Sequence, residues 1–146
     1  MIRAIILALL LSGCASLEQR ANTAAVGDGV TTLGALALGA VEANPLGLVT
    51  IPAKWAILGY VKTLPADEQA QYHASAGAIW GGAAVNNVCV IAAILTAGTF
   101  APVCIAAGIG YGIWAWREAT PERDFYAACA EAKRAWGMTE KCEFGS

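Results

Sequence analysis

Residues 69–116, QAQYHASAGAIWGGAAVNNVCVIAAILTAGTFAPVCIAAGIGYGIWAW, run for 48 positions without an Asp, Glu, Lys or Arg. A core helix of a soluble protein needs about 10–14 apolar residues, whereas a helix crossing a bilayer needs about 20. The stretch is long enough for two hydrophobic helices, and Gly98-Thr99-Phe100-Ala101-Pro102 supplies the break between them. The rest of the chain has the same character. Of 146 residues, 58% are hydrophobic and 14% charged, and the mean hydropathy is +0.56. Soluble domains carry about 25% charged residues, so a single small core cannot easily hide this much apolar surface.

Four hydrophobic blocks follow, at about 24–42, 46–61, 74–97 and 100–116, with breaks at Asn44-Pro45, at 64–68 and at 98–102. Nothing alternates as a barrel strand would, and backbone groups in lipid must be bonded internally. The expected fold is therefore all-α: a small Gly/Ala-rich membrane bundle of about four hydrophobic helices, with a C-terminal amphipathic helix. Gly77 and Gly81, Gly108 and Gly112, and Ala35 and Gly39 each have the small-x-x-x-small spacing that lets helix backbones approach closely.

The amino terminus has its own logic. Arg3 precedes an apolar run from Ala4 to Leu11, too short to span a bilayer, and small residues follow. Leu11-Ser12-Gly13-Cys14 resembles the lipobox of bacterial lipoproteins. That resemblance implies a diacylglycerol thioether on Cys14, cleavage just before it and, as is usual in that family, acylation of the new amino terminus. The expected organisation is a signal peptide at 1–13, a lipidated linker at 14–23, a helical membrane domain at 24–117 and a polar tail at 118–146. A lipidated Cys14 starts the chain outside, and four spans return the tail to that side. Arg20, Lys62, Arg117 and Arg123 then all lie outside, against the usual excess of cations in inner loops.

Of the five cysteines, Cys89 and Cys104 fall within hydrophobic blocks and read as packed thiols. Cys129 and Cys142 fall in the tail, where Thr120-Pro121-Glu122 reads as a cap, a first-turn proline and a first-turn acid. Phe125, Cys129, Ala132 and Trp136 share one helical face and Gly137 ends it. A bridge from Cys129 to Cys142 is within reach in an oxidising compartment, and two free thiols are the alternative.

Polar groups inside or beside the blocks are the candidate functional residues: Asp28, Thr31, Thr32, Glu42, Asn44, Lys54, Asn86 and Asn87. Asp28, Thr31, Thr32 and Glu42 lie along one stripe of the first helix. If Pro52 opens the second helix, Lys54 stands in its first turn, near Glu42, and the expectation is a Glu42–Lys54 ion pair. Asn86 and Asn87 sit mid-block, where an amide seeks a hydrogen bond to another helix. Two readings of the group stand, a clasp that fixes helix packing and a substrate or ion site. His73, the sole histidine, reads as a loop residue.

Asp28-Gly29-Val30-Thr31-Thr32, then Glu42-Ala43-Asn44-Pro45, then a lysine and asparagines in the following blocks, resemble a family of small multi-helix prokaryotic membrane proteins with the signature D-x-x-T-T…E-x-N-P. The resemblance covers roughly 28–87 and implies no activity, because that family has none established. Small lipoproteins of this kind also resemble products of phages and mobile elements that block later infection.

No H-E-x-x-H, P-loop, C-x-x-C or dinucleotide-binding pattern occurs. A net charge of −2 and a pI near 5.3 offer no basic patch to nucleic acid. The expectation is a non-enzymatic, lipid-anchored envelope protein with no cofactor and no metal. Its partners are membrane lipid and either a second copy or another envelope protein, and the inner membrane is favoured over the outer. A phage-type exclusion lipoprotein and a small transport or ion-conducting assembly are the alternatives.

Overall fold

The structure, a computed structural model, describes residues 15–39, 47–96 and 101–145. Among these the chain forms helices α1 (Leu17–Ala37), α2 (Gly47–Val61), α3 (Ala66–Leu95), α4 (Ala101–Glu118) and α5 (Thr120–Trp136), and no strand. The class is all-α.

Helix ends follow capping chemistry more closely than hydropathy. α1 begins at Leu17, inside the stretch expected to be a linker. The Ser16 hydroxyl accepts from the Gln19 amide at 3.3 Å, and the Gln19 side chain accepts from the Ser16 amide at 3.1 Å. That reciprocal capping box starts a helix whether or not its first turn is apolar. α3 likewise begins at Ala66, well before the apolar block, with Pro65 as its cap and Asp67 and Glu68 in a first turn where the helix dipole favours acids. His73 is therefore a helical residue and buried, not a loop residue. Pro52 does not open α2; it lies inside a helix that starts at Gly47. α5 is capped by Ala119, one residue before the expected Thr120, and ends at Gly137 with φ 64°.

The helices alternate in direction. Ala21, Gly27 and Gly34 of α1 lie against Gly77, Ala84 and Ile91 of α3, advancing together, so these two run parallel. Ala78, Gly82 and Cys89 of α3 meet Gly112, Gly108 and Cys104 of α4 in reverse order, so that pair is antiparallel. α2 runs antiparallel to α1, with Leu58 packed on Ala21 and Ala25 and Ile51 near Gly29. α3 is the central helix, flanked by α1 and α4. α5 lies across the end where α1 and α3 begin, through Glu122 to the Leu17 amide at 3.4 Å and Arg134 to Asp67 at 3.5 Å.

The interior is built from small residues. Alanines dominate the buried apolar positions, including Ala21, Ala25, Ala70, Ala74 and Ala78, while Val30, Leu33, Trp55, Ile79 and Ile109 are exposed. A Cβ added to Gly82 would stand 2.6 Å from the Gly108 carbonyl oxygen, and one on Gly112 would stand 3.1 Å from that of Ala78. The Gly108/Gly112 pair thus faces α3 as the spacing predicts. Gly77 and Gly81 divide between two neighbours, Gly77 beside α1 and Gly81 beside Tyr111. Ala35 is buried, but Gly39 lies past the helix end with φ 88°, where an added Cβ would meet no described atom within 4 Å.

Among the described residues one helix, α3, is long and apolar enough to cross a membrane; the apolar part of α2, Val49–Val61, is shorter. At 1.5 Å per residue α3 extends about 45 Å and α2 about 22 Å, against a hydrocarbon core of about 30 Å. Four full-length hydrophobic spans are thus more than the described helices supply.

Candidate functional site

The site grows from Asp28 on α1. Its position on the stripe with Thr31 and Thr32 turns it inward, where it is buried together with Lys54 of α2. The Lys54 ammonium donates to Asp28 Oδ2 in a direct ion pair whose side chains are 7% and 10% exposed. Among the described residues the partner of Lys54 is thus Asp28; α2 starts at Gly47, which carries Lys54 two turns down its helix to the depth of Asp28. Glu42 and Asn44 lie outside the described residues.

Asn87 of α3 closes the group. Its amide nitrogen donates to Asp28 Oδ1 at 3.0 Å, to Thr32 Oγ1 at 3.0 Å and, more weakly, to Thr31 Oγ1 at 3.4 Å. Three acceptors around one atom fix the amide's orientation, since the carbonyl end has no proton to give them. Thr31 turns its own proton back to the Gly27 carbonyl at 2.8 Å. The Lys54 ammonium also stands 5.8 Å from the centre of the Trp80 ring, a distance at which a ring face attracts a cation. Three helices are joined by one neutral unit in which both carboxylate oxygens have donors. Burying charge costs heavily unless it is paired and hydrogen-bonded, and here it is both.

Asn86 does not join the clasp. One residue turns the helix by about 100°, which carries it to the α3–α4 side. There it lines an apolar groove of about 490 Å³ with Gly82, Gly108 and Gly112, and its Oδ1 is buried without a hydrogen-bond partner.

Sequence reasoning missed the bridge between Cys89 and Cys104, whose Cα atoms are 5.2 Å apart. They are not packed thiols. The signal was their placement near the facing ends of two antiparallel helices. Cys129 and Cys142 are also bridged, at a Cα separation of 6.1 Å, and Phe144 stacks edge-on against Phe125 at 5.4 Å. Cys14 lies outside the described residues.

Charge is confined to one end. Glu18 and Arg20 open α1, Lys62 follows α2, Asp67 and Glu68 open α3, and Arg117 and Glu118 close α4. Beyond that end, the charged residues described in α1–α4 are Asp28 and Lys54 alone. Lys62 bonds the Glu18 carboxylate at 2.8 Å and holds it below its ordinary pKa, against the opposing effect of partial burial. Arg123 stacks 3.7 Å from the centre of the Trp116 ring. Among the described residues no His, Cys, Asp and Glu cluster is arranged to hold a metal.

No protein family, curated protein or solved structure matches this chain.

Proposed function

We propose that the chain is a non-enzymatic, lipid-anchored membrane protein of the bacterial envelope. It acts by packing with other membrane components through its apolar helix faces. The observation that carries this reading is the inversion of side-chain size, with alanine and glycine inside and Val30, Leu33, Ile79 and Ile109 outside. In water that arrangement exposes the surface that folding exists to hide. In lipid, tight backbone packing is the main force left between helices, and small interior residues maximise it. α3 adds to the case, because 17% of its most apolar window is buried inside the protein, whereas a soluble core helix is mostly covered.

The clasp supports a packing role over transport. An ion or substrate entering beside Asp28 has to displace Lys54 or the Asn87 amide, because both carboxylate oxygens already have donors.

The two bridges support an envelope location, where thiols oxidise and stay oxidised. Cys89 stands about 24 Å along α3 from His73 at 1.5 Å per residue. With the charged end outside, the Cys89–Cys104 bridge falls in the far half of a bilayer about 30 Å thick. This favours oxidation before insertion, or residence in the outer membrane, over four crossings of the inner membrane begun from a reducing cytosol.

Extraction tests the reading. Labelled palmitate is incorporated into the wild-type chain and not into Cys14→Ser, and the Cys14→Ser chain stays in the pellet after alkaline carbonate treatment. Its release into the supernatant would sink the membrane-embedded reading, and unchanged labelling would sink the anchor.

A further inference from the structure

At the charged end, α1, α3, α5 and the bridged tail enclose a pocket of about 240 Å³ that the packing role does not use. Its walls include Ser16, Glu18, Gln69, His73, Glu122 and Tyr126. His73 is 4% exposed, and its Nε2 is buried with no hydrogen-bond partner. A buried polar atom without a partner forfeits the hydrogen bond it makes in water, so a guest that supplies the missing bond is favoured. The neighbouring groups are partly committed, which leaves the second Glu122 oxygen, Oε2, as the other acceptor on the wall. Glu18 is bonded to Lys62 at 2.8 Å, Glu122 Oε1 accepts the Leu17 amide at 3.4 Å, and Gln69 Nε2 donates to the Leu64 carbonyl at 2.7 Å.

The charge of the walls sets the sign of the guest. Apart from the imidazole, the ionisable wall residues are two carboxylates and the Tyr126 phenol, and Lys62 is bonded to the Glu18 carboxylate. The balance is acidic, and an imidazole nitrogen without a proton is an acceptor. The guest therefore carries positive charge and N–H donors. At about 30 Å³ per water, the pocket has room for about eight waters, enough for a short aminoalkyl group and too little for a peptide.

We propose that this pocket binds a primary ammonium group, with His73 Nε2 and Glu122 as its acceptors. Two sources share that chemistry. One is the aminoethyl headgroup of a phospholipid, which lies at the level of this end in the membrane-embedded reading. The other is the chain's own α-amino group, created if cleavage occurs before Cys14 and left unacylated, two residues from Ser16 and so within about 7 Å of the pocket wall. The second source rests on the lipoprotein reading; the pocket itself does not.

The single histidine makes the test direct. The full-length Cys14→Ala chain, which gains no α-amino group at that position, is labelled with ¹⁵N-histidine in uncharged micelles. It is titrated with ethylammonium chloride and, separately, with tetramethylammonium chloride at equal ionic strength. Ethylammonium shifts the Nε2 resonance saturably, and tetramethylammonium, a cation without N–H groups, does not. Glu122→Gln, which keeps an acceptor for the Leu17 amide, weakens the response about tenfold, the scale of one partly exposed charge contact, with helicity unchanged by circular dichroism. Equal responses to the two salts, no response to either, or full binding by a folded Glu122→Gln chain would overturn the site. The bound resonance in aminoethyl-phospholipid discs but not choline-phospholipid discs assigns the headgroup. The same resonance in the processed wild-type chain with no added amine assigns the α-amino group. Its absence from both overturns both native sources. Palmitate labelling reports on the anchor independently, so the two failures are separable.

Discussion

Asp28→Asn is the sharpest perturbation of the clasp, because it removes a charge while keeping volume and an acceptor for Asn87. The Lys54 ammonium then stays buried, 7% exposed, with no anion beside it. Breaking a buried pair by removing one partner costs about 3–5 kcal/mol, most of it the uncompensated charge. Asp28→Ala also strips the Asn87 amide of its carboxylate, adding about 1–3 kcal/mol. A domain stable by about 5–15 kcal/mol loses a large part of its margin in either case. Lys54→Met leaves the opposite orphan, a carboxylate whose remaining donor is Asn87. The double variant Asp28→Asn/Lys54→Met buries no charge, and replacing a buried pair by neutral groups of similar volume is often close to neutral. The expected coupling therefore exceeds about 3 kcal/mol in favour of the double variant. Denaturant unfolding in micelles followed by tryptophan fluorescence reads it, with Trp80 against the Lys54 ammonium as a local reporter. A double variant whose loss equals the sum of the single losses would refute the pair as the organising contact.

Gly82→Ala puts a methyl 2.6 Å from the Gly108 carbonyl oxygen, and rigid backbone has to move, so it costs about 1–3 kcal/mol. Gly110→Ala meets nothing within 4 Å and gains up to about 1 kcal/mol of helix propensity; thermal midpoints in micelles move in opposite directions, and a shared direction would contradict the α3–α4 contact. With Cys14, Cys129 and Cys142 changed to serine, the remaining Cys89 and Cys104 resist a thiol-reactive polymer in denatured cell extract until reductant is added. Modification without reductant would remove the bridge, which closes a sequence separation of 15 and contributes about 3 kcal/mol on the loop-entropy scale.

The helical class was legible because the 48 uncharged residues at 69–116 leave lipid-compatible helices as the natural element. Helix positions were less so. Hydropathy blocks mark where side chains are apolar, whereas the Ser16/Gln19 box and the Pro65 cap decide where the backbone begins to wind. Each moved a helix start several residues into polar sequence, and the second turned His73 from a loop residue into a buried one. Without that shift the pocket at the charged end has no reason to exist.

The clasp shows the same division at finer grain. Asp28, Thr31 and Thr32 share a stripe on α1, and periodicity alone puts them together. Which residues meet that stripe depends on quantities that no single helix encodes. Treating Pro52 as the start of α2 put Lys54 in that helix's first turn. Starting α2 at Gly47 lowers it to Asp28. The choice between Asn86 and Asn87 is a choice of about 100° in the rotation of α3. The Gly82–Gly108 contact settles that rotation, because only one orientation lets the two backbones meet. Asn86 then faces α4 and Asn87 faces α1. The polar triad is therefore specified from the opposite side of the helix that carries it, by glycines that never touch it. That is why the Gly82→Ala and Asp28→Asn perturbations belong to one structure: loosening α3 against α4 also turns Asn87 away from its carboxylate.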